Sequence, residues 1–306
     1  MNKKPLFISV VGQTATGKTS LALELANQLL KEGNQKVRLL SADSKQVYQG
    51  LAVLTGADIP INFQQISNDH FPYPYFQNSN RTIELHGVSC VGGDKEWSMA
   101  HFQKLFKILW KTLDNKTALI VVGGTGLYHQ QILKPAPTSA ISPNQNLRKR
   151  LELKPLAQLQ TNLKKSWAER WEKMNQSDRS NPRRLIRAIE IALAKLPLKA
   201  QNHYQPTKQI GLQLPLSVLR EKIVERVDQR LEAGVMKEVQ QFGLHHPDSN
   251  LQAKTALGYQ EINQFLKGEL ALEELKTTWA ISEFQYAKRQ QTWWKKQVGI
   301  KWLHTK

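Results

Sequence analysis

A parallel α/β sheet core flanked by helices, with a small helical domain inserted into it, is the fold class that three observations predict. First, the apolar run Leu6-Phe7-Ile8-Ser9-Val10-Val11 leads into Gly12-Gln13-Thr14-Ala15-Thr16-Gly17-Lys18-Thr19 and then into the helix-like Ser20-Leu21-Ala22-Leu23-Glu24-Leu25-Ala26. Strand, G-x-x-x-x-G-K-T loop and helix in that order form a phosphate loop in its required context, so the core is of the phosphate-loop NTPase-like kind. Second, two further apolar runs at 37–40 and 118–122 each end in a polar or glycine-rich turn, as parallel strands do at the carboxyl edge of an open sheet. Third, residues 133–200 are helical in pattern and carry fifteen Lys and Arg against five Asp and Glu. Their helical part, 145–195, follows the linker-like stretch 135–143, which holds three prolines. The domain reading is therefore a core of 1–134 and 205–306, with 135–204 as the basic insertion.

The chemistry of the loop is specific. Its glycines let backbone N–H groups converge on an anion, and the following helix N-terminus adds partial positive charge. Lys18 neutralises phosphate oxygens and Thr19 is placed to hold Mg²⁺. The loop by itself does not say whether the phosphate is transferred, hydrolysed or discarded.

The strand at 37–40 runs into Ser41-Ala42-Asp43-Ser44, which places Asp43 on the same sheet edge as the loop. Residues 59–81, rich in Asn, Gln, Pro and aromatics, read as a surface excursion whose aromatics either pack locally, the favoured reading, or touch a partner. Helical periodicity resumes over 98–113, and the strand at 118–122 delivers Gly123-Gly124-Thr125-Gly126 to the same edge. Residues 145–195 are helical with an interruption at 175–182, a strand at 209–214 rejoins the sheet, and helices are expected over 219–242, 257–267 and 272–296. No internal repeat or low-complexity tract is present.

With 306 residues, the chain is long enough for one large or two modest domains. Its net charge of +18, from 43 Lys and Arg against 25 Asp and Glu, exceeds what solubility asks for and points to a polyanionic partner. Cys90 is the only cysteine, which excludes internal disulfides and Cys-rich metal sites and gives no sign of redox chemistry. His86, His203, His245 and His246 lack metal-ligand spacing, so no zinc site is expected. No apolar stretch is long enough for a membrane span, and Met1-Asn2-Lys3-Lys4-Pro5 leads to the first strand without a signal-peptide pattern. A cytoplasmic monomer with no membrane association is the expectation.

Asp43 has several readings at this point: a metal-organising acid, a general base, or the cap of a following helix. The Gly123-Gly124-Thr125 turn lacks the second acid that an ATPase would place there. Asn181-Pro182-Arg183-Arg184-Leu185-Ile186-Arg187-Ala188-Ile189-Glu190 opens a helix with Asn as cap and Pro at the first position. Arg183, Arg184 and Arg187 suit phosphate-backbone contacts, and equally a solvated charged face. Near the end, Tyr286-Ala287-Lys288-Arg289-Gln290-Gln291-Thr292-Trp293-Trp294-Lys295-Lys296 interleaves cations with aromatics, as nucleic-acid surfaces and core-packed basic helices both do.

Together these segments resemble the tRNA dimethylallyltransferases. The phosphate loop is similar to that family's G-P-T-A-S-G-K-T, and Ser41-Ala42-Asp43-Ser44-Lys45-Gln46-Val47-Tyr48-Gln49-Gly50 to its S-A-D-S-x-Q-V-Y-x-G. The Gly123-Gly124-Thr125-Gly126-Leu127-Tyr128 turn, the 181–190 helix, Ala256-Leu257-Gly258-Tyr259 and the 286–293 segment follow in the family's order. The resemblance implies transfer of a dimethylallyl group from dimethylallyl diphosphate to N6 of adenosine 37 in the tRNA anticodon stem-loop, with Mg²⁺ as cofactor. It implies catalytic roles for Asp43, Lys18 and Thr125. The donor diphosphate would lie on Gly12, Gln13, Thr14, Ala15, Thr16, Gly17, Lys18 and Thr19. Contacts to tRNA are implied for Asp43, Ser44, Lys45, Gln46, Thr125, Arg148, Arg183, Arg184, Leu185, Ile186 and Arg187. The alternatives are transfer to free AMP, or a phosphate-loop kinase or ATPase acting on RNA. The chain departs from the family pattern in its long 59–81 segment, in keeping only His86 of a usual pair, and in having Leu216 and Phe284 where arginines are usual.

Overall fold

The six residues of β1 (Phe7–Gly12) are buried at every position, because a strand covered by helices on both sheet faces has no solvent side. The computed structural model describes residues 5–194, 202–248 and 251–304. After β1 come α1 (Lys18–Lys31), β2 (Lys36–Ser41) and the one-turn α2 (Ala52–Thr55), then β3 (Phe63–Ile66), β4 (Tyr75–Asn78) and β5 (Ile83–His86). The amphipathic α3 (Met99–Lys111), β6 (Thr117–Gly123) and α4 (Gly126–Leu133) complete the first part of the core. The chain then forms α5 (Gln145–Glu152), α6 (Leu156–Ser166), α7 (Ala168–Glu172), α8 (Gln176–Arg179) and α9 (Pro182–Ala194). It closes with β7 (Lys208–Gln213), α10 (Leu216–Glu232), α11 (Val235–His245), α12 (Tyr259–Leu266), α13 (Leu272–Trp294) and β8 (Lys301–His304). Two units result, Met1–Leu133 with Tyr204–Lys306, and Lys134–His203.

In the larger unit the eight strands form one sheet in the order β3-β4-β5-β2-β6-β1-β7-β8. The run from β5 to β8 is parallel, with β6 lying between β1 and β2 in register Val11↔Gly123 and Ser41↔Val122. That order brings the carboxyl ends of β1, β2 and β6 side by side. Two apolar clusters cover the sheet, one around Phe7, Tyr48, Trp97, Phe102 and Trp279, the other around Ile8, Val10, Ala22, Leu39 and Ile120.

The 59–81 segment is more regular than its composition suggested. It contains the antiparallel pair β3 and β4, which extends the sheet through β5. Its aromatics do pack locally: Phe71 lies edge-on to both Tyr75 and His86, and Tyr75 stacks on His86. Beneath them Glu84 on β5 is buried and accepts from Lys36 Nζ at 2.8 Å, Arg38 Nε at 2.9 Å and His86 Nε2 at 3.1 Å. Burial alone would raise the Glu84 carboxyl, but the hydrogen bonds from His86 and Lys36 and the Arg38 charge outweigh it and hold the group at about 2. The single helix expected over 219–242 is two, because Gly234 takes a left-handed conformation (φ 87°) between α10 and α11. No helix among the described residues is long and apolar enough to cross a membrane.

The smaller unit has its own core of Leu151, Leu159, Leu163, Trp171, Met174, Leu185, Ile186 and Ile189. Its basic helices pack around an acid. Glu190, 2% exposed, accepts from Asn144 N at 2.6 Å, from Arg148 Nε at 3.0 Å and Nη2 at 2.9 Å, and from Arg187 Nη1. Burial works against the ionised carboxylate, and the two arginines prevail and hold its pKa below the ordinary value.

Candidate active site

The phosphate loop turns sharply at its first glycine. Gly12 has φ 141°, and a Cβ there would collide with the Leu212 carbonyl oxygen on β7. Ala15 holds the left-handed region at φ 59°, a strained conformation for a non-glycine residue and one that turns successive N–H groups toward a common centre. Within the loop Thr16 Oγ1 donates to the Gln13 carbonyl at 2.8 Å, and Lys18 Nζ donates to the same oxygen. Desolvation, with Arg226 close by, pushes the Lys18 ammonium down to about 7, against the opposing pull of Asp43 and Asp58. An ammonium held this way gains a partner when an anion arrives. The loop opens onto a cavity of about 940 Å³ that also receives Asp43, Ser44, Lys45, Gln46, Gly123 and Gly124.

Asp43 follows β2 and does not begin a helix. Its Oδ1 accepts from Lys45 N at 2.7 Å and Gln46 N at 3.3 Å, fixing the carboxylate in a tight turn and turning aside the helix-cap reading. The Thr125 amide donates to the Ala42 carbonyl at 3.3 Å, so the turn after β6 is pinned to the residue before Asp43. Of the neighbouring predicted residues, Lys45 gives its ammonium to the Gln252 carbonyl at 2.8 Å and to Thr255. Gln46 bridges Ser41 Oγ and the Gly56 carbonyl.

Sequence reasoning missed one wall of this cavity. Lys222, Arg226 and Arg230 recur every fourth residue on α10 and all line it. That spacing, visible in the sequence, marks one helix face. Arg226 Nη1 donates to Thr14 Oγ1 at 2.7 Å. One turn on, the buried Arg230 pairs with the buried Glu283 of α13, and Trp279 Nε1 donates to the same carboxylate at 3.2 Å. Desolvation and the charge of Arg226 lower the Arg230 guanidinium from its ordinary value.

In the smaller unit the predicted tRNA-contacting residues divide. Leu185 and Ile186, expected to touch tRNA, are core residues at 0% and 5% exposed, because α9 turns its apolar face inward. Arg148 and Arg187, expected likewise, commit their guanidinium groups to Glu190, and Arg187 also donates to the Thr138 and Ile141 carbonyls. Arg184 is exposed and paired with Asp178. Arg183 is exposed and forms no ion pair among the described residues.

A family model described as IPP transferase matches residues 76–297. The chain is 33% identical over 297 residues to tRNA dimethylallyltransferase 2 of Shewanella sediminis, covering 94% of this chain and 88% of the relative. It is 31% identical over 313 residues to the tRNA dimethylallyltransferase of Moorella thermoacetica, covering 98% and 90%. The chain belongs to the IPP transferase family. The full-length tRNA isopentenylpyrophosphate transferase of Bacillus halodurans superposes with a TM-score of 0.65 at 26% identity, covering 99% of this chain and 90% of the other. A eukaryotic dimethylallyltransferase acting on tRNA shares the fold, with a TM-score of 0.74 at 19% identity over 98% of this chain and 74% of that one.

In this member of the IPP transferase family the cavity is strongly cationic at its phosphate-loop end despite the two atypical positions. Leu216 lies exposed at the start of α10. Phe284 packs against a cluster of Leu214, Leu219, Ile223 and Ala287. Neither supplies charge, whereas Lys18, Lys222, Arg226 and Arg230 all reach the cavity. For a divalent cation, the described residues offer no cluster of three His, Cys, Asp or Glu. Thr19 and Asp43 both line the cavity. A sparse, all-oxygen protein contribution of that kind fits Mg²⁺, which takes most of its ligands from substrate phosphates and water.

Proposed function

We propose that this chain transfers a dimethylallyl group from dimethylallyl diphosphate to N6 of adenosine 37 in the anticodon loop of tRNA, releasing diphosphate. The observation that carries this reading is the convergence of the phosphate loop, Asp43 and the Gly123-Gly124-Thr125 turn at one edge, made by the strand order β2-β6-β1. A phosphate site with a carboxylate beside it, and no second acid on the β6 turn, suits a diphosphate that leaves better than a phosphoryl group that is passed on.

In this reading the loop amides, Lys18 and Arg226 hold the diphosphate of the donor, and their charge stabilises the negative charge that builds on the leaving oxygen. Thr19 would hold Mg²⁺, whose chemistry there is charge neutralisation on the diphosphate. As the C–O bond to the diphosphate breaks, the N6 nitrogen forms a bond to the allylic carbon and its proton passes to Asp43. The Asp43 turn keeps one carboxylate oxygen occupied by the Lys45 and Gln46 amides and leaves the other for that proton. In this reading Ser44 and Gln46, which line the cavity, and Thr125, on the turn beside it, meet the base, which must leave its stack to reach the cavity. The basic smaller unit supplies the phosphate-backbone surface for tRNA, with Arg183 and Arg184 as its outward cations on α9. A mononucleotide acceptor would leave that surface without a purpose.

Labelled dimethylallyl diphosphate offered with tRNA and with AMP tests the proposal. Label in tRNA alone is expected; label only in AMP, or ATP turnover without transfer, overturns it.

A further inference from the structure

Helix α13 lines the cavity with Glu283, Tyr286, Arg289 and Gln290, and Gln290 reaches the phosphate loop itself. Gln290, 5% exposed, accepts a hydrogen bond at Oε1 from the Thr14 amide at 2.7 Å, so a side chain from 276 positions away holds a backbone donor of the phosphate loop. The other end of the same amide lies against the β6 turn: a Cβ at Gly124 would collide with Gln290 Nε2. Gly124 is therefore the residue that lets Gln290 touch both turns.

One helical turn earlier, Tyr286 stands on the same face of α13, with its phenol toward both the Thr125 hydroxyl and Gln290. Thr125 Oγ1 is buried, and the Tyr286 phenol is the polar group turned toward it. The Thr125 amide in turn binds the Ala42 carbonyl beside Asp43. Thr14, Gln290, Tyr286 and Thr125 thus follow one another from the phosphate loop to Ala42, the residue before Asp43. The path is locked from behind by the Arg230–Glu283 pair, which ties α10 to α13, and by Arg226, which grips Thr14 Oγ1.

We propose that Gln290 and Tyr286 are positioning residues that fix the donor loop relative to the Thr125 turn and Asp43, and so align the allylic carbon with the attacking nitrogen. This rests on the transfer reaction proposed above. The need is geometric: bond formation, bond breaking and proton removal involve groups carried on three different strands, and a displacement of about 1 Å costs on the order of 10²-fold in rate. A glutamine suits the post because its carbonyl accepts from the Thr14 amide while its NH₂ faces the other turn, and it adds no negative charge beside a diphosphate.

Single-turnover transfer to tRNA, with both substrates saturating, tests the proposal on the full chain. Gln290→Ala is expected to slow transfer about 10²-fold, with binding of tRNA and of inorganic diphosphate unchanged. Tyr286→Phe, which keeps the ring, should slow it less, again without loss of binding. Gly124→Ala should slow transfer by displacing Gln290, and Gly124→Ala combined with Gln290→Ala should be no slower than the worse single variant, because the two act on one contact. Independent, multiplying effects overturn the proposal, as does Gln290→Ala transferring at the wild-type rate. Loss of diphosphate binding in proportion to rate overturns it too, since Gln290 would then only build the loop. A wild-type chain that labels no tRNA defeats the proposed function and this inference with it; wild-type transfer with unaffected variants defeats the inference alone.

Discussion

Arginine does different work in the two units of this molecule. At the sheet edge Arg226 and Arg230 come from one helix face and meet a cavity, where one touches the phosphate loop and the other locks α10 to α13. In the smaller unit Arg148 and Arg187 turn inward onto Glu190, and Arg179 caps the Trp171 and Glu172 carbonyls while stacking on the Trp171 ring. The smaller unit has the higher charge density and yet spends several of its guanidinium groups on its own fold. A count of basic residues therefore marks a region as basic without saying which cations are available to a polyanion. Burial and partner choice decide that.

Substitutions at the two places should separate these uses. The largest effect is expected at the sheet edge: Asp43→Asn should lower single-turnover transfer by about 10²–10⁴-fold, with tRNA binding retained in a filter-binding assay. Wild-type rates in that variant would remove the carboxylate from the reaction.

Next comes Glu190→Gln, which leaves two arginines facing an uncharged amide in a core of modest size. A stability loss of about 3 kcal/mol is expected, near the low end for breaking a buried ion pair because both arginines keep some solvent contact. Chemical denaturation followed by Trp fluorescence reads it, and a loss below the error of the method would mean that the cluster is surface charge.

Lys18 gives a smaller, pH-dependent signal. Its folded-state pKa of about 7 lies below the ordinary 10.5. Between those values the free folded protein binds fewer protons than the unfolded chain, and this group adds stability as pH rises through the window. A bound diphosphate reverses the balance by favouring the ammonium. Calorimetric titration of dimethylallyl diphosphate at pH 8 in buffers of different ionisation enthalpy should show net proton uptake. Lys18→Met should abolish it, and the same uptake in that variant would assign the proton elsewhere.

The smallest effect concerns the outward cations. Arg183→Ala should reduce the slope of log affinity for tRNA against log salt by about 1 and leave stability unchanged. Arg148→Ala should do the reverse, destabilising the unit before it alters the slope. Identical behaviour of the two would erase the distinction between the units.

Much of the core was legible from residue order alone. The apolar strands before residue 12 and after residue 117 are continuous because both sheet faces are covered, and the phosphate loop announces itself through glycine, lysine and threonine at fixed positions. The pair β3 and β4 was not legible, since Phe63-Gln64-Gln65-Ile66 is short, polar in its middle and edge-lying, with no strong alternation to mark it. The apolar face of α9 was readable from the period of Leu185, Ile186 and Ile189, but the resemblance to a tRNA-binding motif drew the whole segment toward contact. Arg226 escaped because a basic residue on a long helix has no local signature for facing a cavity rather than water.

The sequence by itself determined that this chain makes a G-x-x-x-x-G-K-T loop between strand and helix, that Asp43 and Thr125 each follow a strand, and that 133–200 is strongly basic. Those are properties of neighbours along the chain, set by periodicity, glycine placement and charge. Only the tertiary structure decided that β6 separates β1 from β2, that Gln290 reaches Thr14 across 276 positions, and that Glu190 claims two arginines. Each depends on which distant elements pack together, and packing is chosen by the whole set of buried faces at once.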